Sequence, residues 1–190
     1  MKEGLIKYVY ELIIREIQTA ITISYVIAVG IGMLFNYQKY AQFDINIFYY
    51  GDIFDFLIAP FSDLYILLFA TISSVFVFII FYLDSLWQRK GPKSYCRANF
   101  GFAKKKWFKL YKSLLFIVSL FLYLLLSADY YGKYTKEKII NQKDITITLS
   151  NNEIKTGKLI GKTKEVIFLF HSEKVFALPI SSFVKEIRIK

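Results

Sequence analysis

The sequence predicts an α-helical integral membrane protein, with three transmembrane helices and interfacial helices, that ends in a small five-stranded all-β unit. Three long stretches of the 190-residue chain are almost free of charge, as helices that cross a bilayer are. Residues 143–190 instead alternate apolar and polar side chains, which is typical of β-strands. Hydrophobic residues make up 55% of the chain, against roughly 45–50% in soluble domains.

Residues 1–16 are predicted to form an amphipathic interfacial helix. Lys7, Glu11 and Arg15 recur at every fourth position and place their charges on one face, while the other face is apolar. A solvated extension of the first span fits the same pattern, and both interpretations stay open. No small-residue cleavage site follows a short apolar core, so we expect no cleavable signal peptide.

The membrane region is predicted at 17–128, with spans at about 17–38, 64–83 and 109–128. The third span gains length because the long side chains of Lys109 and Lys112 can reach the membrane surface. Buried helices of a soluble protein are the alternative. We disfavour it because so short a chain has no polar helix faces to cover three such runs.

The segment 43–61 is predicted to be interfacial or re-entrant. Gly51 and Asp52 signal a helix start, and Pro60 interrupts the apolar stretch after it. The segment is rich in Phe and Tyr, as interfacial belts are. Its aspartates would be costly in hydrocarbon. A fourth full span is the alternative.

The link at 85–112, called the basic link below, carries nine Lys and Arg residues and no acidic residue. Interleaved aromatics would also suit nucleic acid, but binding to anionic headgroups explains the same residues more simply. We therefore expect a bilayer with anionic headgroups as the partner and no nucleic acid. Eight cations are predicted to contact these lipids: Arg89, Lys90, Lys93, Arg97, Lys104, Lys105, Lys106 and Lys109.

Orientation follows from this charge bias, because short loops rich in Lys and Arg face the cytoplasm. The link at 39–63 has one lysine and four aspartates. We therefore predict a multi-pass protein of the bacterial cytoplasmic (inner) membrane with a cytoplasmic basic link and an extracytoplasmic carboxyl end. Three lysines in the predicted linker 129–142 weaken the contrast.

The β unit, residues 143–190, is predicted to contain five strands: "ITITL", "IKTGKLIGKT", "EVIFLFH", "KVFALPI" and "VKEIRIK". Spacing near ten residues argues for a small antiparallel barrel, and Gly157 and Gly161 are placed at its bends. The run "ITITLSNNEIKTGKLIGKTKEVIFLF" resembles the opening of small SH3-like and Sm-like barrels. The resemblance implies the fold only, because the closing Arg-Gly signature of RNA-binding Sm proteins does not occur.

The residues predict no catalytic site, no metal site and no cofactor. The chain has one cysteine, Cys96, and one histidine, His171, without an evident partner for nucleophilic chemistry. Asp52 and Asp55 could form a cation site or a carboxylate pair, but a solvated helix face is the preferred interpretation. No predicted span has a charged interior residue, unlike proton-coupled transporters.

Small residues recur at every fourth position of the first span, a pattern that favours close helix packing in lipid. The pattern predicts a homo-oligomer, with packing inside one chain, against Ala70 and Ser74, as the alternative. The predicted packing residues are Ala20, Ser24, Ala28 and Gly32.

Together these features predict a non-catalytic membrane protein that acts through oligomeric assembly and carries the β unit as a binding or sensing module for a protein partner. The alternative is an oligomeric pore or channel, with a membrane component of a bacterial defence system as one setting. An intramembrane enzyme fits least.

Overall fold

The computed structural model describes residues 2–180 and 184–188, with side chains for 16–180, 185 and 186. Helices come first and strands follow. The helices are α1 (Lys2–Ala41), α2 (Ile53–Ser62), α3 (Leu64–Lys90), α4 (Pro92–Ala98) and α5 (Phe108–Asn141), with 3₁₀ turns at Ile47–Tyr49 and Phe102–Lys104. The strands are β1 (Ile145–Leu149), β2 (Ile154–Lys162), β3 (Val166–His171), β4 (Lys174–Pro179) and β5 (Val184–Arg188).

Three helices are long and apolar enough to cross a membrane: Glu16–Ala41 of α1, α3 and α5. Each predicted span lies within one of them, and few of their side chains are buried inside the protein. At a rise of about 1.5 Å per residue, α5 is about 50 Å long, which exceeds a hydrocarbon core of about 30 Å. The excess is its carboxyl-terminal part. Residues 129–142, expected as a linker, continue this helix as far as Asn141.

Helix α2 begins where Gly51 and Asp52 predicted a helix start. The Asp52 carboxylate accepts hydrogen bonds from the backbone N–H groups of Phe54 and Asp55, at 2.7 and 3.0 Å. The Asp55 carboxylate in turn accepts one from the Asp52 N–H, completing a capping box. The helix continues through Pro60 and ends at Ser62. Its ten residues reach only about 15 Å, too short for the alternative of a fourth full span.

Helix α5 holds the bundle together by packing along both α1 and α3, which touch each other over a short stretch only. Phe35 of α1 and Tyr131 of α5 are fully buried at the crossing, with ring centroids 5.4 Å apart. The Tyr131 hydroxyl donates a hydrogen bond of 2.7 Å to Asp63. Asp63 also caps α3 by accepting the Tyr65 N–H at 3.0 Å. One carboxylate therefore fixes the start of α3 against α5.

All five predicted strands are present and form one antiparallel sheet in the order β4-β3-β2-β1-β5. Strand β2 pairs with β1 as far as Gly157 and with β3 from Lys158 onward. The register shifts between Leu159 and Gly161. The sheet therefore turns along β2, near the two glycines that predicted bends.

The sheet lies on the helix end opposite the basic link, and β3 is apolar on both of its faces. On one face Phe168 contacts Tyr40 of α1 and Tyr50, with centroids 5.3 and 5.2 Å apart. On the other face Ile167 and Leu169 belong to the inner cluster of the sheet. This double burial explains the continuous apolar run "VIFLF", because a strand covered on both faces has no polar side.

Candidate functional site

A cavity of about 420 Å³ lies where the helices meet the sheet, and we call it the junction cavity. Its walls come from α1, α2, α3, α5, the end of β2 and the turn after it. Polar side chains supply much of the lining: Asn36, Lys39, Tyr40, Asp55, Ser62, Asp63, Tyr131, Lys162, Thr163 and Lys164.

The two carboxylates of the junction cavity are occupied by hydrogen bonds from the protein itself. Asp55 accepts the Asp52 N–H at 3.0 Å on one oxygen and the Lys164 backbone N–H at 3.2 Å on the other. Asp63 accepts the Tyr65 N–H on one oxygen and the Tyr131 hydroxyl on the other. Each carboxylate oxygen thus has a donor, and both groups act to join elements.

The same contacts decide how the Asp52 and Asp55 pair is used. The Asp52 carboxylate accepts the Asp55 N–H and the Asp55 carboxylate accepts the Asp52 N–H, so the pair caps α2. Within residues 16–180, 185 and 186, no three His, Cys, Asp or Glu side chains come together as a metal-binding group.

Three lysines line the junction cavity without an acidic partner. Among the side chains that the structure describes, no carboxylate lies within 4.0 Å of the ammonium group of Lys39, Lys162 or Lys164. Lys39 is half-buried, and its ammonium lies 5.3 Å from the ring centroid of Tyr40. Lys162 is the last residue of β2 and Lys164 lies on the turn after it, and both are exposed. The cavity therefore offers positive charge to a ligand.

Gly161 forms the contact between this turn and α1. A Cβ at this position would overlap the hydroxyl of the buried Tyr40 and lie 3.2 Å from the Lys39 ammonium. At Gly157, a Cβ would lie 2.9 Å from the carbonyl oxygen of Phe170. Both predicted bend positions are thus places where β2 closely approaches a neighbour.

The basic link folds back on the start of α5 through α4. Tyr95 of α4 is buried, with ring centroids 5.3 Å from Trp87 and 6.2 Å from Phe108. Its hydroxyl donates to Asp84 at 3.2 Å. Burial, followed by the charge and hydrogen bond of Asp84, raises the pKa of Tyr95 to about 12. Lys112 forms an ion pair with Asp84.

The eight cations predicted to contact lipid are all exposed. None has an acidic partner within 4.0 Å among the described side chains. Exposed aromatic side chains, including Phe100 and Trp107, lie beside them. This arrangement leaves the cations available to an anionic surface. Their contact with lipid stays a prediction.

The four small residues of α1 have different surroundings. Gly32 is buried, and a Cβ there would overlap the carbonyl oxygen of Phe56 in α2. Ala20 and Ser24 are exposed and Ala28 is half-buried. Gly32 thus serves packing within the chain, while Ala20 and Ser24 remain at the surface. Their role in an oligomer stays a prediction.

Ser24 and Ala28 also line a groove of about 370 Å³, which we call the α1–α3 groove. Its other wall includes Ala70 and Ser74 of α3. The alternative of packing within one chain placed small residues of α1 against Ala70 and Ser74. In the structure these small residues line an open groove between α1 and α3.

No protein family, curated protein or solved structure matches this chain.

Sequence reasoning did not identify Lys39, Asp63 and Tyr131 as members of one site. Asp63 did carry a signal, since an aspartate directly before an apolar helix is a typical N-cap. Tyr131 lay in a presumed linker, and Lys39 counted only as a loop charge. Their meeting depends on how three helices cross, which local pattern does not encode.

Proposed function

We propose that this chain is a non-catalytic multi-pass protein of the bacterial cytoplasmic membrane. In this proposal its β unit is an SH3-like binding or sensing module that acts on the helices. Three apolar helices support insertion into a bilayer. The turn of the sheet along β2 supports a curled, barrel-like unit.

The observation that carries the sensing role is the shared core of helices and sheet. Phe168 of β3 is buried between Tyr40 and Tyr50. Phe170 contacts Phe43, with centroids 5.4 Å apart. A binding event on the sheet therefore acts on packed aromatic rings rather than on a flexible tether, so it can shift the end of α1.

Hydrogen bonds connect the sheet to α5 in the same way. The Gln142 side chain donates to the Leu159 carbonyl at 2.7 Å. The Lys158 ammonium donates to the Gln142 carbonyl at 2.8 Å. Because α5 runs from this point to the basic link, it supports a mechanical connection between the two ends of the protein.

Photo-crosslinking in intact cells tests the binding role. Strands β4 and β5 are the edges of the described sheet, and edges are where partners add a strand. A photoreactive residue at exposed Ala177 or Lys185 should give one discrete protein adduct. The same residue at Ile72, exposed on an apolar helix, is the control. The absence of an adduct at both edges would overturn the binding role, and ion flux through liposomes carrying the pure protein would favour a pore.

A further inference from the structure

We propose that the chain binds one anionic phospholipid, with the lipid phosphate in the junction cavity and an acyl chain in the α1–α3 groove. The inference rests on the membrane insertion proposed above, and it names a ligand for the site. The ligand is defined by its chemistry: a phosphate diester that carries a net negative charge and is attached to two hydrocarbon chains.

Charge is the first reason. Lys39, Lys162 and Lys164 converge on the junction cavity and lack a carboxylate within 4.0 Å among the described side chains. Every oxygen of Asp55 and Asp63 already accepts a hydrogen bond. An anion would meet the exposed ammonium groups of Lys162 and Lys164, which have no carboxylate within 4.0 Å among the described side chains.

The level of the cavity is the second reason. Lys39 lies in the last turn of α1, and Asp63 directly precedes α3. The last turn of α1 and the first turn of α3 therefore both lie at the cavity. This places the cavity at the depth of lipid headgroups. Helix α2 beside it exposes a large apolar stripe, formed by Phe54, Ile58 and Phe61. An apolar stripe of this kind suits a helix lying in the interface plane.

The position of the α1–α3 groove is the third reason. Ala59 of α2 and Ile66 of α3 line the junction cavity, and the next residues, Pro60 and Leu67, line the groove, so the two spaces lie along neighbouring stretches of the same helices. The groove is mostly apolar along both helices. A lysine-bearing cavity beside an apolar groove matches a headgroup with an acyl chain next to it. A soluble anion would use the cavity alone.

Native mass spectrometry of the full chain in mild detergent tests the proposal, with phosphatidylglycerol as the probe. We expect one phosphatidylglycerol per chain and weak binding of diacylglycerol with the same acyl chains. The double variant Lys162→Gln/Lys164→Gln should bind about 25-fold more weakly, since each cation near a lipid surface contributes about five-fold. Both lysines are exposed, so the variant should fold.

The control variant Lys143→Gln/Lys174→Gln removes the same charge from positions of the β unit outside the cavity. It should bind as the wild type does. Equal loss in both double variants would overturn a specific site, and so would equal binding of diacylglycerol. Displacement of the lipid by inorganic phosphate would show a soluble-anion site and would also overturn the proposal.

The groove is tested separately by Ser74→Phe, which fills it, against Ser113→Phe on α5, which lies outside it. Only Ser74→Phe should weaken phosphatidylglycerol binding. Unchanged binding in Ser74→Phe would show that the acyl chain does not occupy the groove.

Carbonate extraction of membranes carrying the wild type separates the failure of the lipid site from the failure of the proposed membrane insertion. A chain released by carbonate contradicts membrane insertion, whereas a retained chain without lipid preference contradicts the lipid site alone.

Discussion

At the scale of single residues, the structure assigns different roles to positions that look alike in the sequence. Gly30 and Gly32 both lie in the apolar part of α1. A Cβ at Gly30 would meet nothing within 4 Å, whereas one at Gly32 would overlap the backbone of Phe56. Only Gly32 is needed for the crossing of α1 and α2.

Gly32→Ala should therefore destabilise the protein by about 1–3 kcal/mol, because the backbones must separate. Gly30→Ala should stabilise it by up to about 1 kcal/mol, since alanine favours the helix. Thermal unfolding in detergent compares both with the wild type. An equal rise in melting temperature for both variants would show that α2 does not approach α1 at Gly32.

Tyr95 gives a pH-dependent prediction outside the proposed spans. Its folded pKa of about 12 lies above the unfolded value of about 10. The folded chain therefore holds this proton more tightly, and the associated stability is present below a pH of about 10 and lost as pH rises through about 12. Tyr95→Phe should therefore lose less stability than the wild type as pH rises through about 12. The variant should also lack one of the absorbance changes by which tyrosines ionise, the one near a pH of about 12. If the variant instead lost a change near a pH of about 10, the burial of this hydroxyl would be contradicted.

At the scale of elements, the periodic patterns predicted the helices and strands well. The reason is that a helix or strand depends mainly on residues that are close together in the sequence. The alternation in "ITITL" predicted β1, and the apolar run in "VIFLF" predicted β3. Residues 129–142 were expected as a linker between the third span and the β unit. They remain helical because one side, including Tyr131 and Ile139, is buried.

Docking of the sheet on the helices depends on Phe168. Phe168→Ala should weaken the docking by about 3–5 kcal/mol, because a buried ring leaves a cavity. Hydrogen exchange should then rise in β2 and at the end of α5. Ile154→Ala, at an exposed position of β2, is the matched control. Unchanged exchange at the end of α5 in Phe168→Ala would contradict rigid coupling.

At the scale of the whole molecule, the unpaired cations and the β unit are separated along the length of α5. The basic link and the β unit lie at opposite ends of α5. Eight exposed cations of the link lack acidic partners among the described side chains, while the other end carries the junction cavity. The proposed orientation therefore places the basic link on the cytoplasmic side of the membrane and the β unit on the other side.

Reporter fusions test that orientation. An alkaline phosphatase fused after Lys190 should be active, because this enzyme needs an extracytoplasmic location to form its disulfides. The same reporter inserted after Phe100, in the basic link, should be inactive. The reverse pattern would place the β unit in the cytoplasm.

Assembly through α1 is tested where small residues remain exposed. Ala20→Leu/Ser24→Leu should reduce the mass of the native complex in mild detergent, because larger side chains prevent close approach of two helices. Gly32 is unsuitable for this test, since a larger residue there would disturb α2. Thr22→Leu/Val26→Leu changes exposed residues with the same spacing on another side of the helix and serves as the control. An unchanged mass in the first variant would exclude this face.

Three apolar helices, five strands and the charge contrast between the links could be read from the amino-acid order alone. These properties depend on composition and periodicity over short stretches, so they are visible in any short segment of the sequence. The folded arrangement was needed to show that Gly32 lies against α2 and that Gly161 lies against Tyr40. It also decided that Lys39 shares one cavity with Lys162 and Lys164. Such contacts join residues far apart in the chain, so they follow from how packed elements cross rather than from local sequence.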